Sequence, residues 1–495
     1  MDMHRNGRLI LVVIAPKVLG RIIQKLIEAP AMETRLEVDS LGEREVPKDA
    51  YFGIQTLRAI ENFPVSGIKV PTIFVHAYVM VKKAAALANM EVGWLDENIG
   101  KAVVKACDEV LEGRFLDQFV VDAFQAGAGT SFNMNVNEVL ANMALEILGG
   151  SKGDYKTVSP NDHVNMAQSS NDTFPTVLHL STLLSLEKLL GELEKLAAAF
   201  KSKGKQFASV IKSGRTHLQD AVPITVGQEF AAYATAIEKA RNQIKLRSID
   251  LEEIALGGTA AGTGINSHPQ FRRIAVSELS KMTNLKLRVA RDPIEALQSR
   301  RAIAATSSAL KELALELIRI ANDLRLLSSG PTTGLAEISL PPVQPGSSIM
   351  PGKVNPVMAE CLDMISFQVV GNDLAISLAV QAGQMELNVM TPVIMHNILQ
   401  SIQILTNFVP VFTEKCVKGI TVNKKRCSSY LEKNPSLAVF LSPHIGYLEA
   451  AKVAKEALAE GRSVKEIVIE KGILDEKKVN EIFHPRFLLG KNRRK

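Results

Sequence analysis

From about residue 175 onward, apolar side chains recur at steps of three and four. Val177, Leu180, Leu183, Leu186, Leu190 and Leu193 form one such series, and Leu310, Leu313, Leu317, Ile320 and Leu324 form another. Each series lines one face of an α-helix. The pattern predicts helices near 176–204, 221–255, 294–328, 356–386 and 391–415. Thirty residues of helix span ~45 Å, so these elements must run together as an elongated bundle. Their apolar faces are broad, which predicts that several of them pair across subunits rather than face water. Residues 33–165 read differently: short helices near 79–89 and 99–111 are separated by loops rich in Gly, Asn, Ser and Pro. Beyond Lys425, short helices are expected at 446–460, 464–471 and 476–482, with Gly461 and Gly472 placed as C-caps. The chain thus divides into an N-terminal extension (1–31), a mixed domain (32–167), a central helical bundle (168–425) and a small helical C-terminal domain with a basic tail (426–495). The fold class is mainly α.

Composition narrows the function. Of the 495 residues, 46% are hydrophobic and 22% charged, as expected for a folded chain with a sizeable core. The formal charge of +6 is small for this length, and part of it sits in the tail at Lys491, Arg493, Arg494 and Lys495. No basic stripe interleaved with aromatics appears, so nucleic acid is not an expected partner. No apolar run reaches the ~18 residues of a membrane span, so no membrane is expected either. Residues 1–31 have a basic start and an Ala29-Pro30-Ala31 triplet, features of a signal peptide. Lys17 breaks their apolar stretch, however, and the segment is read as an upstream extension. Cys107, Cys361, Cys416 and Cys427 form no CxxC pair and no zinc spacing, which fits a reducing cytoplasm.

Four polar loops interrupt the apolar scaffold. Ala126–Asn135 combines small residues that let a ligand approach the backbone with the hydroxyls of Thr130 and Ser131. Ser169, Ser170 and Asn171 stand just before a long helix, where unpaired amides, hydroxyls and a carboxamide suit a carboxylate; a capping cluster is the plainer reading. Thr216 and His217 lie before the helix expected near Val222, although a lone histidine is more often a core residue than a catalyst. The fourth loop, Gly346–Pro356, resembles a phosphate-cradling P-loop and fails the test. Five residues separate Gly346 from Gly352, and Val354 stands where Ser or Thr must hold magnesium. What remains is a flexible Gly-Ser-Ser segment, then Lys353, then Asn355 as N-cap with Pro356 at the first helical position.

The segment GSSIMPGKVNP resembles the signature of the fumarase/aspartase superfamily. The resemblance continues through AGAGTSFNMNVNEVLAN, SPNDHVNMAQSSND, GRTHLQDAVPITVGQEF and GGTAAGTGIN, and covers residues 33–485. It implies a three-domain fold whose long helices form a tetrameric core, with each active site drawn from three subunits. It also implies reversible anti-elimination across the C2–C3 bond of a four-carbon diacid through an aci-carboxylate. Such an intermediate carries extra negative charge, so the site must supply a base and stabilise that charge. By resemblance Ser347 is the base, Lys353 and Asn355 bind the carboxylate beside the acidic proton, and Glu360 orients His217. Thr130, Ser131, Ser169, Ser170, Asn171, Thr216 and His217 would hold the other carboxylate and the leaving group. Arg58, in TLRAIENF, matches a further residue associated with the site, with a structural salt bridge as its other reading. No organic cofactor is implied. Divalent metal is an assistant at alkaline pH for the family, but no ligand cluster stands out.

Two positions favour the aspartase side of the superfamily, with ammonia rather than water as leaving group. Ala128 replaces a serine usual in the fumarase turn, and Ser159 replaces a histidine before the PNDH sequence. Ser170 and GGTAAGTGIN point the other way, towards a class II fumarate hydratase, the alternative enzyme. Relatives acting on argininosuccinate, adenylosuccinate or carboxymuconate match less closely along the chain. A catalytically silent helical scaffold is the alternative from another class, and the joint presence of Ser347, Lys353, Asn355, His217 and Glu360 argues against it.

Overall fold

The computed structural model describes residues 33–489, so the N-terminal extension and the basic tail lie outside the described residues. The chain opens with an antiparallel hairpin, β1 (Thr34–Asp39) and β2 (Gly42–Pro47). Helices α1 (Ile54–Asn62), α2 (Thr72–Glu91), α3 (Glu97–Leu111) and α4 (Thr130–Ile147) follow. Then come α5 (Ser170–Gln206), a second hairpin of β3 (Ile211–Thr216) and β4 (Gln219–Thr225), and α6 (Val226–Ser248). Next are α7 (Phe271–Thr283), α8 (Pro293–Gln298), α9 (Arg301–Leu327), α10 (Val357–Gln381) and α11 (Thr391–Lys415). The C-terminal region adds α12 (Lys424–Lys433), α13 (Ser442–Ile445), α14 (Tyr447–Glu460), α15 (Val464–Glu470), α16 (Glu476–Ile482) and α17 (Pro485–Leu488).

The five long helices close on themselves. α5 packs on α6, α6 on α9, α9 on α10, α10 on α11 and α11 back on α5. One continuous apolar core runs through this bundle and the N-terminal helices, from Ala59 to Cys427, and a second gathers residues between Ala438 and Ile482. This is the mainly α fold expected from the helical periodicities.

Several boundaries differ from the periodic reading, and four of them have a local reason. α5 begins at Ser170 rather than near 176, because Ser169 caps it: the Ser169 N–H donates to Asp172 Oδ1 (2.9 Å) and its Oγ accepts the Asn171 N–H (3.2 Å). Pro175 therefore sits inside the helix, where its missing N–H leaves the Asn171 carbonyl without its usual partner. The helix expected from 221 begins at Val226, because 219–225 pairs with β3 and Thr225 forms a capping box with Gln228. The helix expected over 294–328 is two, α8 and α9, broken where Ser299 adopts an extended backbone. At the start of α10 the shift is one residue: Pro356 holds the N-cap position, and Asn355 makes no side-chain cap.

Among the described residues α10 alone is long and apolar enough to cross a membrane. It nevertheless carries Asp363 and Asp373, paired with Arg325 at 2.9 Å and Lys311 at 2.5 Å on α9. Those ion pairs mark it as a bundle helix.

Candidate active site

Two helix starts meet at the candidate site. α4 begins at Thr130 directly after Gly129, whose left-handed backbone (φ 70°) brings it against Phe174; a Cβ there would meet the ring at 1.9 Å. α5 begins at Ser170, and the two hydroxyls touch, Thr130 Oγ1 lying 3.0 Å from Ser170 Oγ. Ser131 is buried beside Thr130, while Ser169, Ser170 and Asn171 are half-buried. Two helix N-termini with hydroxyls in their first turns present hydroxyl donors and positive dipole ends, a candidate receptor for an anion, with the Phe132 and Asn171 N–H groups already donating to Gln125 Oε1 and Ser169 Oγ.

Residues that the sequence reading did not assign to the site hold this receptor from beneath. Asp172 is fully buried; its Oδ2 accepts the N–H groups of Gly257 and Thr259, each at 2.9 Å. That pins the GGTAAGTGIN loop to the start of α5, and Asn171 Nδ2 adds a bond to Ala260 O at 2.8 Å. Burial pushes the Asp172 carboxyl up to about 6, against the pull of its backbone donors and of Lys82. Lys82, also fully buried, spends its three protons on Asn133 Oδ1 (2.8 Å), Asn165 Oδ1 (3.0 Å) and Gln168 Oε1 (3.0 Å). Asn133 belongs to α4 and Gln168 precedes Ser169, so one ammonium ties the two helix starts together. Burial pushes it down to about 7, with Asp172 opposing. A signal was present in the sequence: Phe74, Tyr78 and Lys82 fall at steps of four on the core face of α2.

His217 stands at a hairpin tip. Thr216 pairs with Gln219, leaving His217 and Leu218 as a two-residue turn with φ of 55° and 59°. Two successive left-handed residues are the geometry of a type I′ turn, a costly choice for side chains other than Gly, Asn or Asp. Thr216, His217 and Leu218 are all exposed. The base of the hairpin is rigidly anchored: Arg215 forms two 3.0 Å bonds to Glu337, and Lys212 lies 2.9 Å from the same carboxylate. Asn434 bonds Ser213 Oγ and the Ala221 carbonyl from the C-terminal side.

Ser347 lies on the exposed loop before α10. Its Oγ accepts the N–H groups of Met350 (3.0 Å) and Ile349 (3.2 Å), and its N–H donates to Lys353 O (3.0 Å). Gly346 is required by that closure, because a Cβ would meet the Lys353 carbonyl oxygen at 1.6 Å. Lys353 is exposed, and Asn355 and Glu360 are half-buried. Among the described residues, no hydrogen bond or ion pair joins this loop, the His217 hairpin and the Thr130/Ser170 cluster, and none joins His217 to Glu360. Arg58 is committed to Asp39 through bonds of 2.8 and 2.9 Å and to the Gly42 carbonyl at 3.1 Å. Ala128 is buried with φ 59° and donates its N–H to Val389 O. The Ser159 hydroxyl is engaged with Asp162, donating to Oδ2 at 2.8 Å and accepting the N–H at 3.0 Å. Among the described residues no three His, Cys, Asp or Glu side chains are grouped to hold a metal ion.

The chain is similar to known lyases along most of its length. Residues 42–371 match the family model described as "Lyase", and residues 437–490 match that of "Fumarase C C-terminus". The chain is 52% identical over 453 residues to the aspartate ammonia-lyase of Bacillus subtilis, covering 92% of this chain and 95% of that protein. It is 46% identical to the class II fumarate hydratase of Thermosynechococcus vestitus, covering 92% and 98%. The crystal structure of a fumarate lyase:delta crystallin from Brucella melitensis bound to cobalt superposes with a TM-score of 0.89 at 49% identity, over 92% of this chain and 99% of that one. With its fold, its signature loops and its similarity along nearly the whole chain in agreement, the protein belongs to the fumarase/aspartase superfamily, as a carbon–nitrogen lyase of the aspartase kind.

Proposed function

We propose that the protein eliminates ammonia reversibly from L-aspartate to give fumarate. The observation that carries this reading is the pair of helix starts at Thr130 and Ser170, an anion receptor with hydroxyls in contact at 3.0 Å. Ser347 is the base. Its Oγ already accepts two backbone N–H groups, and donors aimed at an oxygen favour its alkoxide form. Lys353 and Asn355, on the same loop, receive the carboxylate on which negative charge grows. Glu360 orients His217, which with Thr216, Thr130, Ser131, Ser169, Ser170 and Asn171 holds the second carboxylate and the departing amine. Proton removal and amine departure need no organic cofactor.

The site is assembled from three chains of a homotetramer. His217 at an exposed hairpin tip and Ser347 on an exposed loop have no partner from the Thr130/Ser170 cluster of their own chain, so neighbouring chains supply them. The bundle offers the surface for this. Met364, Phe367, Leu374 and Leu378 form a stripe on α10 and are 57–62% exposed, a contiguous apolar face that water does not favour. Four free cysteines, three of them buried, support a cytoplasmic location.

Ammonia rather than water is favoured as leaving group by the name of the 52%-identical Bacillus relative and by Ala128, which offers no hydroxyl to the site. A buried polar mismatch costs about 1–3 kcal/mol, roughly 5- to 150-fold, and malate is expected to be roughly a hundredfold poorer than aspartate, or worse, in kcat/KM. Absorbance of fumarate, formed first from aspartate and then from malate, tests this. Preference for malate would overturn the assignment in favour of the hydratase.

A further inference from the structure

The hairpin that carries His217 is not one continuous ladder. Its base pairs Ile211 with Thr225 and Ser213 with Pro223, but Arg215 faces Asp220, so β4 holds one residue more than β3 between those pairs. This is a β-bulge, where Gly214 lies so close to the facing strand that a Cβ would meet the Val222 carbonyl oxygen at 2.5 Å. A bulge bends its strand and re-aims the side chains beyond it. The base, from Lys212 to Gly214, is buried, whereas Thr216 to Asp220 are all exposed. Neither core packing nor an unbroken ladder therefore holds the tip. Its two successive left-handed residues, His217 and Leu218, are strained, and strained backbone persists only where its surroundings over-determine it.

Arg215, the first paired residue past the bulge on β3, supplies a hold. Its Nη1 and Nη2 donate to Glu337 Oε2 and Oε1, each at 3.0 Å, a two-point bond that fixes direction as well as position. Its guanidinium also stands 5.7 Å from the centre of the Tyr430 ring. Glu337 is a fixed post for this bond. It is fully buried, its N–H donates to Leu327 O at the end of α9, and its carbonyl accepts the Asn423 N–H, both at 2.9 Å. It leads directly into Ile338–Ser339, which pairs with Thr421–Val422. Lys212 reaches the same carboxylate at 2.9 Å from before the bulge. One carboxylate thus spans the break in the ladder, holding a cation from the base and a cation from the tip. On the opposite strand, Ser436 Oγ donates to the Asp220 carbonyl at 2.8 Å.

We propose that Arg215 is a positioning residue that aims His217 across the bulge through its two-point bond to Glu337, which rests on the reading of His217 as a substrate contact. Arg215→Lys keeps the charge and loses the fork, because an ammonium is a point charge without planar two-point geometry. The variant is assayed alone and on a His217→Ala background, with whichever of aspartate and malate the wild type converts. Alone, it should lower kcat/KM roughly 10- to 100-fold, since a misplacement of about 1 Å can cost ~10²-fold. On the His217→Ala background the same change should cost less than about twofold, because no imidazole is left to aim. An equal fall on both backgrounds would make Arg215 a purely structural residue and overturn the proposal. So would an undiminished kcat/KM in Arg215→Lys, or a variant that no longer assembles. Hydrogen exchange of the intact protein reads the hairpin without substrate: amides of residues 215–220 should exchange roughly tenfold faster in Arg215→Lys, with those of 211–213 unchanged. Wild-type exchange at the tip would overturn the positioning itself. Faster exchange at the tip, in a protein whose His217→Ala form keeps full kcat/KM, would overturn the substrate role of His217 and the proposal with it.

Discussion

Replacing Lys82 by Met asks whether the buried ammonium organises the anion receptor. The change keeps the apolar stem and removes three charge-assisted bonds. Two of the three acceptors keep other donors: Asn133 Oδ1 retains the Tyr78 hydroxyl at 3.2 Å, and Asn165 Oδ1 retains the Asn133 and Asn137 amides at 3.2 and 3.1 Å. Only Gln168 Oε1 is left with no donor, at a cost of about 1–3 kcal/mol. Relief from burying a charge offsets part of the lost attraction, so the net loss should stay in that range. Urea unfolding should show a lower midpoint at unchanged slope. Gln168 directly precedes Ser169, so loosening it should relax the Thr130/Ser170 hydroxyl pair proposed to bind substrate. One to two kcal/mol of lost organisation corresponds to roughly 5- to 30-fold, appearing as a higher KM for aspartate with kcat less affected. A Lys82→Met protein with wild-type midpoint and wild-type KM would refute the reasoning.

Other perturbations test the remaining parts. Ser347→Ala should lower turnover by roughly 10³-fold with the fold intact, since a positioned proton acceptor contributes about 10²–10⁴; retention of more than a tenth of the activity would remove Ser347 from the base role. Mixing Ser347→Ala with His217→Ala chains, each inactive alone, should restore part of the activity, because some sites then draw an intact residue from each chain. No recovery after confirmed mixed assembly would contradict the shared site. Asp172→Asn addresses pH. The carboxyl is raised to about 6 in the folded chain from an ordinary 3.8, so the folded state holds its proton more tightly. That contribution is fully present below about 3.8 and lost as pH rises through 6. The stability gap between wild type and Asp172→Asn should therefore widen as pH falls from 6 to 4, as measured by urea unfolding; a gap that narrows would be inconsistent with a buried, raised carboxyl.

The periodicity of leucines determined the long helices, because an apolar face repeats every 3.6 residues whatever the helix packs against. It also placed the short C-terminal helices, whose glycine ends are local chemistry: Gly461 and Gly472 both take left-handed backbone. Motif-bearing loops were legible too, since Ser169, Thr216, Ser347 and their neighbours are polar stretches rich in hydroxyls and amides between apolar helices. Strand 219–225 was not legible. Its apolar residues lead into those of α6, and only pairing with β3 draws the boundary at Val226. Nor could composition show that His217 would occupy a strained turn, because the backbone of a hairpin tip is set by the register of both strands. The burial of Lys82, Asp172 and Arg300 is likewise a tertiary decision. Charged residues ordinarily read as surface, and each of these becomes core only when another element closes over it. Tertiary structure decides which donors and acceptors they then meet, and with them the organisation of the receptor.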